Sequence, residues 1–515
     1  MKQKISILLT ALLLTGCGTT SVNPVTGQSE RTVMDESTEI AEGAKGHQEV
    51  LKEYGVYNNA AVQAYVNTLG QKLAAQSQRA NLQWHFTVLD SPEINAFALP
   101  GGYVYVTRGI MAYMESEADL AGVIGHEIGH VAARHGAQRA TRQQSAGLGV
   151  FAASILGAVL ESQGLQGAGQ LAGQVSQTVA AGYIASYGRD QELQADGLGA
   201  EYLARTHYDP HNMVDVITVL KNQERFAADQ ARAEGRNAPA RADWLASHPS
   251  NDQRLDTITQ LANQYQDKAG YADEGRARYL KVVQGMHFGE SADQGLVRGQ
   301  NFYHAGLGVA LTAPAGWSIQ NSADQLGVLN AARDATLVLR VVPPSAGTDA
   351  ATIIRNVIKP TQGRTEAVTF NGLSATRFVG TRQNAEGQSQ AIEATVVDGP
   401  GTTNYLMQFA GKDATALQRS RAGLRDTEMS FRAMTAQDRS AARPWVLKTV
   451  AYPRGGFAEL AKNSPIDNPE KQLRLINGFY GGGEPKPSQQ VKVIEPLCWS
   501  FANPDKLSGA GRLAQ

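Results

Sequence analysis

At 515 residues the chain is too long for a single compact core and predicts about three domains. With 42% hydrophobic residues, 18% charged residues and 19 prolines it can bury cores, which excludes a disordered or collagen-like chain. Lys and Arg total 47 against 48 Asp and Glu, a net charge of −1. That balance gives no basic field for gripping phosphates, so a nucleic acid partner is not expected.

Lys2 and Lys4 precede the apolar run Ile5 to Leu14, which leads into Leu14-Thr15-Gly16-Cys17. This is the layout of a secretory signal, and the run is shorter than the roughly 20 residues that span a bilayer. Leu-Thr-Gly-Cys resembles the bacterial lipobox, which implies a signal peptide over residues 1–16 and lipidation of Cys17 as the first mature residue. Each buried CH₂ contributes ~0.8 kcal/mol, so several acyl chains anchor a protein stably. Gly18 stands where lipoproteins retained in the inner membrane carry Asp. The resemblance therefore implies the periplasmic face of the outer membrane. Acylation of Cys17 leaves Cys498 alone, and no internal disulfide is expected. No later run is apolar enough for a transmembrane helix; the nearest, Val150 to Leu160, is broken by Ser154 and Gly157.

Residues 17–40 read as a tether rich in Thr, Ser, Gly and Glu. Over residues 41–265 helical periodicity dominates, interrupted by two β runs, Trp84 to Leu89 and Gly102 to Thr107. Residues 266–299 read as a linker rich in Gly and charge. Between residues 300 and 434 the pattern changes to β, with helical interludes at Ala350 to Ile358 and Ala414 to Arg425, predicting an antiparallel α+β domain of unknown role. Residues 444–495 read strand, helix, helix, strand. That order resembles a LysM module, a glycan-binding unit of cell-wall proteins, and implies peptidoglycan as a candidate partner. The match is degenerate, since Gly455-Gly456-Phe457 stands where that family has Gly-Asp-Thr. Residues 496–515 read as a loose tail.

The chemistry centres on His126-Glu127-Ile128-Gly129-His130. Ser116 with Asp119 gives a start signal and Gly136 a stop, predicting one helix from about Glu117 to His135. At about 100° per residue, His126 and His130 lie roughly 40° apart, with Glu127 beside them. Two neutral imidazoles at i and i+4 can clamp one zinc ion, and the adjacent carboxylate can take a proton from water that the ion acidifies. Gly122, Gly125 and Gly129 each cost a helix ~1 kcal/mol, which implies close packing by another element.

Catalytic zinc needs a third protein ligand and an open fourth position. The metzincin continuation is absent, because Ala133 and Gly136 occupy its Gly and His positions. On a continuous helix His135 falls about 180° around from His126, and it reads as a helix-end or packing group. Farther on, Glu192 and Asp196 stand at i and i+4 of a second predicted helix. One of them can ligate while the other orients an imidazole; an exposed acidic stripe is the plain alternative.

At this point the chain resembles the gluzincin metallopeptidases that include HtpX, the CAAX prenyl proteases and the periplasmic proteases LoiP and BepA. The matches are the HExxH motif, Arg134-His135, the Glu192 to Asp196 segment, Asn95 to Gly102, and Ser247 to Ser250 with Arg254. They cover about residues 40 to 260. The resemblance implies a mainly helical zincin-type peptidase domain with a small β-sheet, in an α+β multidomain chain. It implies one Zn²⁺ per chain on His126, His130 and Glu192, with Asp196 orienting a ligand and Glu127 as general base. It further implies that Gly102 to Thr107 is a substrate-binding edge strand presenting Gly102, Tyr103, Val104 and Tyr105. His248 matches a histidine that in BepA-like enzymes can close the open zinc position; stabilising the reaction intermediate is the other role open to it.

The expected function is hydrolysis of misfolded or unassembled periplasmic and outer-membrane proteins. A non-proteolytic envelope chaperone or scaffold tethered near peptidoglycan is the rival reading. Ser145 to Gly188, with nine Gly, reads equally as a packed helical hairpin or a mobile lid.

Overall fold

The computed structural model describes residues 19–145, 187–233, 248, 252–265, 270–322, 325–383 and 387–497. Cys17, the Val150 to Leu160 run and most of the Ser145 to Gly188 segment lie outside the described residues. No described helix is long and apolar enough to cross a membrane.

The chain begins with a hairpin, β1 (Thr19–Val22) and β2 (Ser29–Thr32), followed by α1 (Glu36–Tyr54). The described part of the expected tether is therefore folded. Two contacts hold it: the Asn23 side chain donates to Ala133 O at 3.2 Å, and Val33 N donates to Thr141 Oγ1 at 3.1 Å. Asp35 caps α1 by accepting from Thr38 N at 2.8 Å.

After α2 (Ala60–Ala74) come β3 (His85–Leu89), β4 (Ala96–Leu99) and β5 (Tyr103–Thr107). Their order is β3-β5-β4, with β3 parallel and β4 antiparallel to β5. The expectation that Gly102 to Thr107 is an edge strand is thereby corrected: β5 is central, bonded on both sides. The physical cause is the Gly101-Gly102 turn, whose φ values of 83° and 102° fold β4 back along β5. Among the described residues, β4 carries the free edge on that side of the sheet.

Next come α3 (Arg108–Tyr113), α4 (Glu117–Ala132) and α5 (His135–Ser145). Ser116 caps α4 by accepting from Asp119 N at 3.1 Å. Every residue of α4 is buried. Helices α6 (Arg189–Arg205), α7 (Asn212–Ala233), α8 (Asp252–Ala262) and α9 (Arg276–Val283) complete the domain. Small residues let α4 and α6 cross closely: a Cβ on Gly125 would lie 3.3 Å from Gly199 Cα, and one on Gly129 3.1 Å from Ala195 O. Helix α9 falls inside the expected linker, yet Tyr279 and Val283 are buried in the core of the helical domain and the Tyr279 hydroxyl donates to Met111 O. Its 3.6-type spacing is short and flanked by charge, which hid it.

The next region is β6 (His287–Phe288), β7 (Leu296–Arg298), β8 (Asn301–His304), β9 (Val309–Thr312), β10 (Ser318–Asn321), β11 (Leu326–Leu329), β12 (Ala335–Val342), α10 (Ala350–Ile353), β13 (Pro360–Phe370), β14 (Leu373–Gln383), β15 (Ser389–Asp398), β16 (Asn404–Gly411), α11 (Ala414–Met429), β17 (Arg432–Ala433) and α12 (Ala436–Ala441). Seven of these strands form an antiparallel sheet in the order β10-β11-β12-β16-β15-β14-β13, and four form another, β17-β9-β8-β7. One core cluster joins the two sheets to Leu424 of α11 and to Phe431.

The chain continues through β18 (Trp445–Ala451), α13 (Gly456–Ala461), α14 (Pro469–Ile476) and β19 (Gln490–Pro496). Strand β18 pairs antiparallel with β19 on one side and with β6 on the other. This unit shares one apolar cluster with the helical domain, in which Leu447, Phe457, Leu473 and Val491 join Tyr113, Leu120 and Tyr279.

Candidate metal centre

Helix α4 turns His126 and His130 to one side, with their Nε2 atoms 3.0 Å apart. Helix α6 brings Glu192 opposite: Oε1 is 3.4 Å from His130 Nε2 and Oε2 is 3.7 Å from His126 Nε2. His248 closes the group, its Nδ1 3.1 Å from His126 Nε2 and 3.0 Å from Glu192 Oε1. One donor atom from each of the four lies within 4.8 Å of all the others. A tetrahedral ion about 2.1 Å from each donor needs donors roughly 3.4 Å apart. The observed separations of 3.0 to 3.7 Å fit that requirement, and the N₃O donor set suits a zinc-like ion.

The surrounding groups brace this arrangement. Asp196 Oδ1 lies 2.9 Å from His126 Nδ1. Arg254 grips Asp196 with two bonds of 2.7 and 2.8 Å, reaches Glu192 Oε2 at 3.0 Å and donates to His248 O at 3.0 Å. Glu127 stands next to the group, its Oε1 3.5 Å from His248 Nε2. None of these seven residues is more than 1% exposed.

Burial sets the electrostatics, and neighbouring charges modify it. Burial alone would raise the Glu192 carboxyl, but His248 and His130 hold it well below the usual carboxylate range. Asp196 is lowered in the same way, against burial, by Arg254 and then His126. Burial drives His130 well below the usual imidazole range, which keeps it neutral and able to ligate. His248 is raised against burial by Glu192 and Glu127.

The structure thus gathers His126, Glu127, His130, Glu192, Asp196 and His248 in one buried cluster. It does not bring Gly102, Tyr103, Val104 and Tyr105 to a free edge. Tyr105 instead bonds His47 Nδ1 through its hydroxyl at 2.7 Å, and Tyr103 stacks on His85 with centroids 4.5 Å apart. In the β4–β5 register the bond from Thr107 N to Asn95 O (3.0 Å) makes alternate residues pair, so the backbone groups of Ala96 and Ala98 point to the outer edge of β4. Ala98, Leu99 and Pro100 share a crevice with His130, Arg139 and Tyr187.

One neighbour, Tyr187, carries no signal in the sequence, and another, His135, takes a different place from the one expected. Tyr187 stacks on the His130 ring at 3.9 Å and 19°, and nothing in its local sequence marks it. A continuous helix would put His135 on the side away from His126, but α4 ends at Ala132 and Arg134 adopts φ 58°. The break turns His135 inward, where its Nδ1 lies 2.8 Å from His130 Nδ1. The stop expected at Gly136 is corrected: α4 is capped at Ala133 and ended by the left-handed Arg134, and Gly136 lies in the first turn of α5.

The tight crossing of α4 and α6 makes the donor geometry sensitive to side-chain volume. Gly129→Val would place atoms within 3.1 Å of Ala195 O and of Leu198 Cβ. Overpacking of this kind costs ~1–3 kcal/mol. The variant is expected to melt lower than wild type and to retain less metal per chain by elemental analysis.

Comparisons with known proteins agree with this geometry. Residues 60–262 match the family model for peptidase family M48. The chain is 29% identical over 270 residues to a β-barrel assembly-enhancing protease of Yersinia pestis, covering 50% of this chain and 52% of that one. It is 30% identical over 210 residues to the protein of the same name in Escherichia coli (strain K12), covering 40% of each. It is 30% identical over 233 residues to the mitochondrial metalloendopeptidase OMA1 of Schizosaccharomyces pombe, covering 44% of this chain and 62% of that one. The chain thus spans about half or less of the length of the two bacterial relatives. The helical domain at residues 60–262, which holds the buried cluster of His126, His130 and Glu192, is similar to peptidase family M48.

Proposed function

We propose that the protein is a zinc-dependent metalloendopeptidase of the bacterial cell envelope that hydrolyses misfolded or unassembled periplasmic and outer-membrane proteins. The observation that carries this reading is the convergence of His126, His130, Glu192 and His248, from three separate stretches of chain, with the Glu127 carboxylate beside them. His126, His130 and Glu192 would hold one Zn²⁺. Bound there, the ion would supply Lewis acidity to a scissile carbonyl and lower the pKa of water to about 7.

The chain's own groups do the remaining work. Glu127 takes a proton from the attacking water and passes it to the leaving amine as the C–N bond breaks. Asp196, fixed by Arg254, keeps His126 in the tautomer that leaves Nε2 free to ligate. Strand β4 borders, at Ala98, the crevice that His130 also lines, and it would accept a substrate strand in extended form, a mode of binding largely independent of sequence, once the groups that now bury Ala96 and Ala98 move aside. His248, with Nδ1 at 3.1 Å from His126 Nε2, covers the remaining corner and must swing away before a substrate enters.

Two finer readings accompany this one. The Leu14 to Cys17 motif supports lipidation of Cys17 and anchorage at the periplasmic face of the outer membrane. The strand, helix, helix, strand order of residues 445–496 supports a LysM-like unit and a peptidoglycan contact, which a pull-down of the intact protein with purified sacculi tests.

The central test is metal dependence. The purified chain is expected to hold about one zinc ion, to lose casein hydrolysis on treatment with a chelator, and to recover it when Zn²⁺ is returned. Hydrolysis that persists after the metal has been removed would overturn the proposal.

A further inference from the structure

We infer that His135 is a positioning residue: with Gln194 it forms a relay of hydrogen bonds that fixes the tautomer and ring plane of His130. The inference rests on the proposal that His130 is a metal ligand, and it concerns a residue outside the ligand set.

The argument is one of proton counting. His130 Nε2 faces His126 Nε2 at 3.0 Å and Glu192 Oε1 at 3.4 Å, so it is the nitrogen turned toward the ion position. A neutral imidazole that offers a lone pair at Nε2 carries its proton on Nδ1. His130 Nδ1 lies 2.8 Å from His135 Nδ1. Two nitrogens at that distance share one proton, so His130 donates and His135 Nδ1 accepts. His135 then carries its own proton on Nε2, which lies 2.8 Å from Gln194 Oε1, an acceptor. Every proton in the series has one place, and its direction runs away from the ion.

The two histidines of the clamp are therefore braced differently. His126 faces the Asp196 carboxylate at 2.9 Å, whereas His130 faces a neutral ring whose far end is held by an amide. Helix α6 supplies Glu192 and both supports, Gln194 and Asp196, within five residues, so it sets the orientation of both α4 imidazoles. The relay exists because the chain turns at Arg134, at φ 58°. Its guanidinium holds that turn to the N-terminal segment, with bonds of 2.7 Å to Glu39 and 2.7 Å to Met34 O and a third to Ser21 Oγ.

The test compares His135→Phe, which keeps a ring but has no acceptor, with His135→Asn, whose side-chain oxygen can stand in for Nδ1. Zinc affinity is measured by competition with a chromophoric chelator. Loss of a support to a ligand imidazole typically weakens metal binding roughly 10- to 100-fold. His135→Phe is expected to fall in that range and His135→Asn to stay within about threefold of wild type. A packing role alone would move the melting temperature and leave the affinity of the folded protein unchanged.

Wild-type affinity in a folded His135→Phe variant would overturn the inference, as would equal losses in both variants. If His135→Phe does not fold, ¹⁵N-histidine NMR of the zinc-loaded wild type decides. A ¹⁵N–¹⁵N coupling across a shared proton between His130 and His135 supports the relay, and a His130 proton on Nε2 sinks it. Failure of the wild type to bind zinc, or undiminished binding by His126→Ala, would instead overturn the metal-centre proposal and this inference with it.

Discussion

Replacing Glu127 by Gln is expected to take casein hydrolysis down to background while zinc content stays near one ion per chain. The reasoning separates binding from chemistry. Glu127 contributes no donor to the group formed by His126, His130, Glu192 and His248, so that group survives the change. Gln keeps the volume of Glu at a site with 0% exposure, so α4 has no cavity to collapse into. What disappears is a carboxylate able to accept a proton, and general-base catalysis contributes roughly 10²- to 10⁴-fold in rate. The carboxylate lies 3.5 Å from His248 Nε2 in the closed arrangement, so the variant also removes an anion that holds His248 inward. Undiminished hydrolysis by a correctly folded, zinc-loaded Glu127→Gln protein would eliminate the proposed proton route. The same variant separates the enzyme from a scaffold, because a scaffold would still rescue a deletion phenotype.

Most of the buried His and carboxylate cluster was legible because its residues, His248 apart, lie on two helices at i and i+4 spacing, and periodicity alone fixes which side chains share a face. His126 with His130, and Glu192 with Asp196, needed only the helical repeat and a reason to meet, which the glycines of α4 supplied. Strands β14, β15 and β16 were legible for a similar reason, since each carries a β-branched or aromatic run with buried partners.

What was hidden depends on contacts remote in sequence. Strand β13, exposed along most of its length at the sheet margin, has no buried face to impose alternation on Gln362 to Glu366. Strand β4, Ala96 to Leu99, is four residues long and contains no β-branched residue, so only its pairing with β5 makes it a strand. The inward turn of His135 depends on a salt bridge from Arg134 to Glu39, 95 residues earlier in the chain. No local pattern encodes it. The hairpin at Thr19 to Thr32 is likewise ordered by partners more than 100 residues away, such as Asn23 on Ala133.

The least legible feature carries the second large prediction: Lys492→Met is expected to destabilise the peptidase domain by ~2–4 kcal/mol, the cost of removing a buried charged donor from two carbonyls and one carboxylate. Lys492 sits on β19 with 0% exposure. Its Nζ donates to Ala112 O at 3.0 Å and Met114 O at 2.6 Å, and pairs with Glu115 Oε1 at 2.8 Å. Burial lowers the Lys492 pKa, and the Glu115 carboxylate opposes that shift. Met preserves much of the stem volume but leaves two carbonyls at the end of α3 without this donor and the Glu115 carboxylate with Arg276 as its remaining cation. Those groups immediately precede Ser116, the cap of α4, so the damage falls at the root of the metal-binding helix. A neighbouring bond from Gln472 to the Tyr113 hydroxyl at 2.6 Å ties α14 to the same corner. Removal of residues 444–515 should therefore do more than delete an appendage: it strips a shared core and should leave residues 41–265 prone to proteolysis. Chemical denaturation of Lys492→Met, followed through the peptidase domain, checks the magnitude. A midpoint unchanged from wild type would mean that the C-terminal unit leans on the domain without holding it together.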